Sequence, residues 1–427
     1  MAKPVVFESH HVMSNAENNN NKFWRVFQYD DHSTLVEYGR VGDSPQQSEK
    51  AFGSESEARQ FCDKKCKEKI NKGYKKVEVM SSNVSVKTTV GGTLTEVAKK
   101  QIKTSSTEVQ KLIEYFSKAN VHSILESTNM TYNVDSGLFT TPIGVVTKNM
   151  VDQARDILLE MDDFVNKSKF TDKKYISLLE NYMMFIPQKI GRKFDPSAIF
   201  TSHDDIVKQS DVLDSLEVSI KSILNTAAPV GIDQPEEAQV FRVRVDKVED
   251  PNEFERIRKY FKSTVHNNHV TSKYNLKTVY EIEIEHMHKS FETQGRKLGN
   301  IQELWHGTKA SNVLSILKSG LVMPNPKSSH FCGAMFGLGI YFSDQSTKSL
   351  NYATNFWTRG GDTSRTFMFL ANVAMGKSYI PSNASSNLPM KGYDSTYAIG
   401  GKSGVSNNEM IVYNLNQCNL TRLCEFE

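Results

Sequence analysis

Three short runs in the last third of the chain hold residue types able to do chemistry. The first is Leu304-Trp305-His306-Gly307-Thr308, an imidazole followed at once by a glycine. The second runs Gly333-Ala334-Met335-Phe336-Gly337-Leu338-Gly339-Ile340-Tyr341-Phe342-Ser343 and resumes as Lys348-Ser349-Leu350-Asn351-Tyr352. The third is Asn407-Asn408-Glu409-Met410-Ile411-Val412-Tyr413. Alone, each has an ordinary structural account. A histidine after tryptophan fits a satisfied core position, a glycine-rich run fits a tight loop beside a strand, and a glutamate opening a strand fits a solvated edge. Gly337-Leu338-Gly339 is not a fingerprint for hydride transfer, because it lacks the third glycine and precedes a strand instead of following one. Cys62 and Cys66 lie on a predicted helix with no second Cys/His pair at zinc spacing nearby. They read as ordinary helix-surface thiols, Cys332 reads as an incidental one, and no metal is expected.

The elements that must position these runs change character along the chain. From Gln239 the period is two: Phe241, Val243 and Val245 alternate with Arg242, Arg244 and Asp246, and Val279, Glu281 and Glu283 with Tyr280, Ile282 and Ile284. Further short strands are expected over 367–373 and 409–413, with glycines between, so residues 236–427 read as a β-rich α+β domain. Upstream the period is helical. Ser105 with Glu108 makes a capping box before Val109, Leu112, Ile113 and Phe116. Later stripes are Val151, Ala154, Ile157, Leu158 and Met161; Tyr175, Leu178, Leu179 and Tyr182; and Leu213, Leu216, Ile220 and Ile223. Successive amphipathic helices bury one another's faces, which makes 97–226 an all-α bundle. Residues 81–96, rich in Ser, Thr and Gly, read as a linker. Before it, 14–22 read as a loop, and strands over Lys22–Tyr29 and Ser33–Val41 flank a turn at Asp30-Asp31-His32-Ser33. A helix opened by Ser54-Glu55-Ser56-Glu57 sets Ala58, Phe61, Cys62 and Lys65 on one side, so residues 1–80 form a small antiparallel β module. The fold class is therefore multidomain α+β.

A chain of 427 residues exceeds one ordinary core. At 38% hydrophobic, 24% charged and a net charge of +3, whole-chain charge says nothing of a polyanionic partner. The local signal is Arg59, Lys64, Lys65, Lys67, Lys69, Lys72, Lys75 and Lys76 against Asp63 and Glu68, which suits either a solvated face or a phosphate-contacting surface. Five sparse cysteines, no signal peptide and no long apolar run point to an intracellular protein that is not secreted and has no membrane partner.

Taken together and in order, His-Gly-Thr, Gly-Ile-Tyr-Phe, Ser-x-x-Tyr and Asn-Glu-x-Ile-Val-Tyr resemble the catalytic domain of the poly(ADP-ribose) polymerase family. Thr141-Pro142-Ile143-Gly144 before a helix, and Phe185-Ile186-Pro187, look like that family's helical regulatory domain. Tyr38-Gly39-Arg40-Val41-Gly42 is similar to the signature of a WGR module, with Tyr in the first position. The five cysteines supply none of the zinc-finger modules that some members carry, so a DNA-dependent type without them is expected.

The resemblance implies an NAD+ ADP-ribosyltransferase, a glycosyltransferase that consumes NAD+ as substrate and uses no metal. Cleaving the nicotinamide–ribose bond passes through an oxocarbenium-like centre, as in glycoside cleavage. Glu409 would stabilise that charge, hold the ribose 2′-hydroxyl and orient the attacking hydroxyl. Tyr341 and Tyr352 would stack on the nicotinamide. The Gly307 backbone and the Ser349 hydroxyl would hold its carboxamide, and Gly339 lies by the same loop. His306 would bond the adenosine ribose, with Thr308 and Asn312 nearby, as a positioning group and not a general base. Leu338 stands where many members carry Lys, and Ala334 where some carry an aromatic, which leaves acceptor choice and chain elongation open. The expected product is poly(ADP-ribose) on the enzyme itself and on other proteins. A mono-ADP-ribosyltransferase and a silent DNA-binding scaffold are the alternatives. The WGR-like module would sense DNA strand breaks through Tyr38, Arg40, Lys64 and Lys65, which implies DNA repair and a nuclear location.

Overall fold

The computed structural model describes residues 3–15, 20–40, 45–77, 93–134, 137–141, 144–188, 195–224, 239–323, 334–354, 365–385 and 387–427. Strands β1 (Val5–Asn15), β2 (Asn20–Tyr29), β3 (Ser33–Arg40), β4 (Gln46–Ala51) and β5 (Lys75–Val77) form an antiparallel sheet of order β4-β3-β2-β1-β5, with helix α1 (Glu55–Asn71) between the last two in sequence. Ser54 caps α1 by accepting the Glu57 N–H, 3.2 Å. The β2–β3 turn is as expected: His32 takes a φ of 64° and its N–H reaches Tyr29 O at 3.1 Å.

Three local expectations need correction. The run 14–22 is not a loop throughout: Ser14 and Asn15 end β1, Asn20–Lys22 open β2, and Asn15 pairs with Asn20, while 16–19 lie outside the described residues. A hairpin ladder is made by backbone groups, so polar residues extend it past the core. Cys62 is not a surface thiol. It is buried against Trp24 and Val26, where desolvation pushes its thiol up to about 11, because a cysteine packs as a small hydrophobe. Cys66 is half-buried beside it.

Next come α2 (Leu94–Gln101), α3 (Thr107–Ser127), a small sheet of β6 (Thr131–Tyr132), β7 (Phe139–Thr141) and β8 (Gly144–Val145), then α4 (Lys148–Asn166), α5 (Lys173–Phe185) and α6 (His203–Leu224). The third correction is the α3 cap: Ser106, not Ser105, accepts the Glu108 N–H at 3.2 Å, because Ser105 instead bonds Asp246 through its N–H at 3.0 Å and its hydroxyl at 3.2 Å. Pro142, Ile143, the Gly-rich part of the linker (81–92) and Val41-Gly42 lie outside the described residues.

The chain packs as two compact units, residues 1–93 with 124–229, and residues 94–123 with 230–427. In the first, β2 is buried on both faces. Trp24 and Val26 pack toward Cys62 of α1, while Phe23 joins Val12 of β1, Met150 of α4 and Met184 of α5. A strand covered on both sides reads as a near-continuous apolar run. Helices α4–α6 bury most of each expected stripe, Val151, Ala154, Leu158 and Met161, then Tyr175, Leu179 and Tyr182, then Leu213, Leu216 and Ile220, while Ile157 and Leu178 are half-buried and the Ile223 side chain lies outside the described residues.

The second unit adds β9 (Val243–Lys247), α7 (Pro251–Ser263), β10 (Leu276–Ile284), α8 (Glu285–Thr293), β11 (Ile301–Gly307), α9 (Val313–Ser319), β12 (Ile340–Phe342), α10 (Ser346–Ala353), β13 (Thr366–Ala374), β14 (Ser378–Tyr379), β15 (Ser395–Ala398), β16 (Glu409–Val412) and β17 (Cys418–Phe426). One sheet runs β11-β13-β17-β10-β9 and the other β12-β16-β15-β14. Trp305 of β11 and Ser343, just past β12, exchange N–H···O bonds of 2.9 and 3.1 Å and tie the two sheets together. The α2–α3 connector extends the first sheet: Lys103 N–H donates to Val243 O at 3.0 Å, and Lys103 O accepts the Val245 N–H at 2.9 Å. Helix α3 packs Phe116 edge-on to Phe367, 4.8 Å between ring centroids.

Candidate active site

The Trp305–Ser343 link sets the next residue of β11, His306, beside β12. His306 Nδ1 lies 3.0 Å from the backbone oxygen of Tyr341. A carbonyl only accepts, so Nδ1 carries the proton and the neutral ring offers Nε2 as an acceptor. Burial holds the imidazole below its ordinary value; the bond to the Tyr341 carbonyl opposes this, and Lys348 adds to it.

Gly307 ends β11 against α10. A Cβ there would sit 1.7 Å from Ser349 O and 3.3 Å from the Tyr352 Cβ, so only glycine allows the helix this close. The Ser349 hydroxyl donates to Trp305 O at 3.1 Å, fixing α10 to β11 a second time. Tyr341 is held by its hydroxyl, which donates to Gly337 O at 2.8 Å and accepts the Phe336 N–H at 3.0 Å. Gly337 has a φ of +84°, and Gly339 leaves no room beside Ile411. The glycine-rich run therefore folds back onto the tyrosine that follows it. Burial raises the Tyr341 hydroxyl well above its ordinary value and keeps it neutral. Tyr352, by contrast, is 48% exposed.

Glu409 opens β16 and is buried, with Lys348 Nζ of α10 at 2.9 Å. Burial lowers the Lys348 pKa and Glu409 opposes that shift. Losing one member of such a pair leaves a stranded charge that costs about 3–5 kcal/mol. The preceding Asn408 fixes the approach to β16: its amide donates to Asp344 at 3.0 and 3.2 Å, and its backbone carbonyl accepts the Ser343 hydroxyl at 2.8 Å. Lys348 and Asn408 have no assigned role from the sequence. The signal for Lys348 was its place beside Ser349 on a helix whose residues 346–351 are all buried.

His306, Gly307, Tyr341, Ser349, Tyr352 and Glu409 thus converge, with Tyr341 in electrostatic reach of both Glu409 and Tyr352. Gly339 abuts β16. Thr308 follows, buried, and Asn312 lies in the short turn 310–312, accepting from the Ser311 hydroxyl at 3.3 Å. Asn120 of α3 donates to Ser311 O at 3.2 Å. Leu338 is half-buried, whereas Cys332, Gly333 and the Ala334 side chain lie outside the described residues.

Tyr38, Arg40, Lys64 and Lys65 belong to the other unit. Tyr38 is 40% exposed on β3 opposite Trp24. Arg40 ends β3, and its side chain is outside the described residues. Lys64 is exposed, while Lys65 donates to Glu68 at 2.7 Å.

Three family models match the chain: the WGR domain over residues 9–80, the poly(ADP-ribose) polymerase regulatory domain over 104–228, and the poly(ADP-ribose) polymerase catalytic domain over 251–411. Poly [ADP-ribose] polymerase 1 of Gallus gallus is 31% identical over 268 residues, which is 61% of this chain and 25% of that protein. Protein mono-ADP-ribosyltransferase PARP3 of Mus musculus is 25% identical over 423 residues, 91% of this chain and 76% of that protein. Poly [ADP-ribose] polymerase of Drosophila melanogaster is 26% identical over 257 residues, 59% of this chain and 25% of that protein. The chain thus spans a quarter of the chicken and fly proteins. The catalytic-domain match defines an enzyme of the NAD+ ADP-ribosyltransferase class. With all three modules in order, the chain belongs to the poly(ADP-ribose) polymerase family.

Proposed function

We propose that this chain transfers ADP-ribose from NAD+ to protein acceptors, itself included, in response to DNA strand breaks, and extends the first unit into poly(ADP-ribose). The observation that carries this reading is the buried Lys348–Glu409 pair beside Tyr341 and His306. Glu409 meets the positive charge that develops at the ribose C1′ as nicotinamide leaves, and aligns the acceptor hydroxyl. The acceptor oxygen–C1′ bond forms as the nitrogen–C1′ bond breaks, nicotinamide departs neutral, and the acceptor proton is released. Lys348 fixes the carboxylate. Neutral His306 accepts a hydroxyl of the adenosine ribose at Nε2, with Thr308 and Asn312 alongside. Tyr341 and Tyr352 face the nicotinamide ring, and Gly307, Ser349 and Gly339 line its carboxamide. The Ser349 hydroxyl now donates to Trp305 O, so the carboxamide must either take over that proton or donate to its free lone pair.

A specific observation favours a second reading, transfer of a single unit: the relatives named as mono-ADP-ribosyltransferases align with 91% of this chain, against 61% for chicken poly [ADP-ribose] polymerase 1. Incubation of the pure protein with labelled NAD+, with and without a 5′-phosphorylated nicked duplex, tests both. A DNA-dependent ladder supports polymer formation, and a single DNA-dependent increment supports the second reading. No labelled protein under either condition overturns both. The DNA response would rest on Tyr38, Arg40, Lys64 and Lys65. A DNA-repair role predicts that the tagged protein concentrates in nuclei, which imaging checks directly.

A further inference from the structure

Helix α3 belongs to the regulatory-domain match, 104–228, yet through Ser123 it packs within the second unit. Its hold on the first sheet of that unit is extensive. Asp246 of β9 accepts both bonds of Ser105, and Lys247 donates to Glu108 at 2.9 Å. Tyr115 and Phe116 meet Phe367 of β13, at 5.9 and 4.8 Å between ring centroids. Arg365 donates twice to the buried Glu425, at 2.7 and 2.9 Å, and sets its guanidinium 4.7 Å from the Tyr115 ring centre. Asn120 follows one turn after Phe116 and is fully buried. Its amide donates to Ser311 O at 3.2 Å. Ser311, itself buried, is the middle residue of the turn Ala310–Asn312, which begins just past Thr308. Within the turn, the Asn312 N–H reaches Lys309 O at 3.0 Å and the Ser311 hydroxyl donates to the Asn312 side chain at 3.3 Å. A turn this short makes few bonds of its own, so an anchor from another element decides where Asn312 stands.

We propose that Asn120 is a positioning residue for the adenosine end of NAD+, holding the turn that carries Asn312 beside Thr308 and His306; this rests on the roles given to those three residues above. A helix of the regulatory segment thereby sets part of the affinity of the catalytic domain for its donor. The bond joins a buried amide to a buried backbone carbonyl, so removing the amide deprives the carbonyl of that partner and lets the turn shift. The nicotinamide end is fastened elsewhere, by Gly307 packed on Ser349, by the Ser349 bond to Trp305 O and by the Tyr341 bonds to the glycine-rich run. Glu409 is held by Lys348. Loss of Asn120 therefore weakens the grip on one half of the dinucleotide and spares the other half and the chemical step.

The test uses the full chain with nicked DNA and compares Asn120→Ala, the volume-matched Asn120→Leu, and a Phe116→Leu control that loosens α3 without removing the bond, with thermal melts for each. Two ligands probe the two ends: a non-hydrolysable NAD+ analogue by calorimetric titration, and nicotinamide, which has no adenosine, as an inhibitor. Both Asn120 variants should bind the analogue about 5- to 10-fold more weakly and raise KM for NAD+ to match, while kcat and the nicotinamide inhibition constant stay within about 2-fold. Phe116→Leu should lower the melting temperature and leave the ratio of the two affinities unchanged. Wild-type affinity for the analogue in both Asn120 variants, an equal loss for nicotinamide, a loss confined to kcat, or the same change of ratio in Phe116→Leu would each overturn the proposal. If Asn120→Ala melts early, Asn120→Leu decides by the ratio, because general loosening weakens both ligands alike. Undiminished analogue affinity in a Thr308→Ala/Asn312→Ala double variant would instead sink the reading of those residues, which separates the two failures.

Discussion

The charged groups around Glu409 and those along α1 differ in what surrounds them. Lys348 and Glu409 have side chains only 10% and 11% exposed, bonded to one another, on elements held by hydrogen bonds to their neighbours. On α1, Lys64 and Lys67 are exposed, as is Lys72 at its C-cap, Lys65 is paired to a half-buried Glu68, and a pair in contact with water does not fix an ammonium group to within an ångström. A buried, water-poor array holds dipoles where charge will develop and needs no reorganisation at the moment of reaction. An exposed lysine row supplies a field that salt screens. Single changes in the first region should therefore be large and geometric, and those in the second small, additive and salt-dependent.

The widest gap between the two regions should come from Glu409→Gln. Removing the charge while keeping the shape should lower kcat for transfer by about 2–4 kcal/mol of transition-state stabilisation, with KM for NAD+ little changed. Initial rates of automodification over a range of NAD+ concentrations check this. Equal effects on KM and kcat would place Glu409 in substrate binding and blur the contrast.

Gly307→Ala should come next, through packing. Its Cβ would fall 1.7 Å from Ser349 O, so α10 must move away from β11. NAD+ affinity should drop at least about 10-fold, and the melting temperature should fall by several degrees, as a clash in a packed interface typically costs about 1–3 kcal/mol. Calorimetric titration with a non-hydrolysable NAD+ analogue reads the first effect and a thermal melt the second. Full affinity in this variant would show that α10 yields, and that the site is less rigid than its hydrogen bonds imply.

Protonation offers a milder perturbation of the same region. Folding lowers the proton affinity of His306, chiefly through burial. The unfolded chain then binds more protons just below the ordinary imidazole pKa of about 6.5, so stability is undiminished above that value and falls as pH drops below it. The acceptor at Nε2 also disappears on protonation. KM for NAD+ should be flat from neutral to mildly alkaline pH and rise only on the acid side. A KM that rises toward alkaline pH would mean that the charged ring is the binding form.

The same contrast explains what could be read from sequence. His306, Tyr341 and Glu409 were legible because each sits in a short run whose residue types serve one chemistry. Lys348 was in plain view beside Ser349, but lysine by default is solvated, and its burial depends on a carboxylate far along the chain. Ser105 and Ser106 stand in a run of four hydroxyl residues, any of which can cap a helix. Asp246 of β9 decides between them, and that interaction is tertiary. β1 went unread because His10 and His11 interrupt its apolar pattern, although both are buried. The module signature was legible at Tyr38, yet what Tyr38 and Arg40 touch on a partner is not written in either residue.

The smallest effects should lie on α1, where structure now separates two lysines that composition treats alike. Removing a single phosphate-binding cation shallows the slope of log K against log salt by about 0.9 on duplex DNA. Lys64 is exposed, whereas the Lys65 ammonium already serves Glu68 at 2.7 Å and lies 5.9 Å from the Phe61 ring centre. An exposed pair of this kind is worth under about 1 kcal/mol, yet breaking it offsets much of what one phosphate interaction returns. Lys64→Ala should therefore change the salt slope by close to one full increment, and Lys65→Ala by clearly less. Arg40→Ala should exceed both and act differently, because a planar guanidinium can grip a terminal phosphate or stack on an unpaired base. It should raise the half-activating concentration of a 5′-phosphorylated nicked duplex while leaving DNA-independent activity intact. Automodification rate against DNA concentration, repeated at two or more salt concentrations, resolves all three. Equal slopes for the two lysine variants would mean that the Glu68 pair does not restrain Lys65. An unchanged half-activating concentration in Arg40→Ala would remove the first module as the DNA sensor and make a protein partner the better candidate for what it binds.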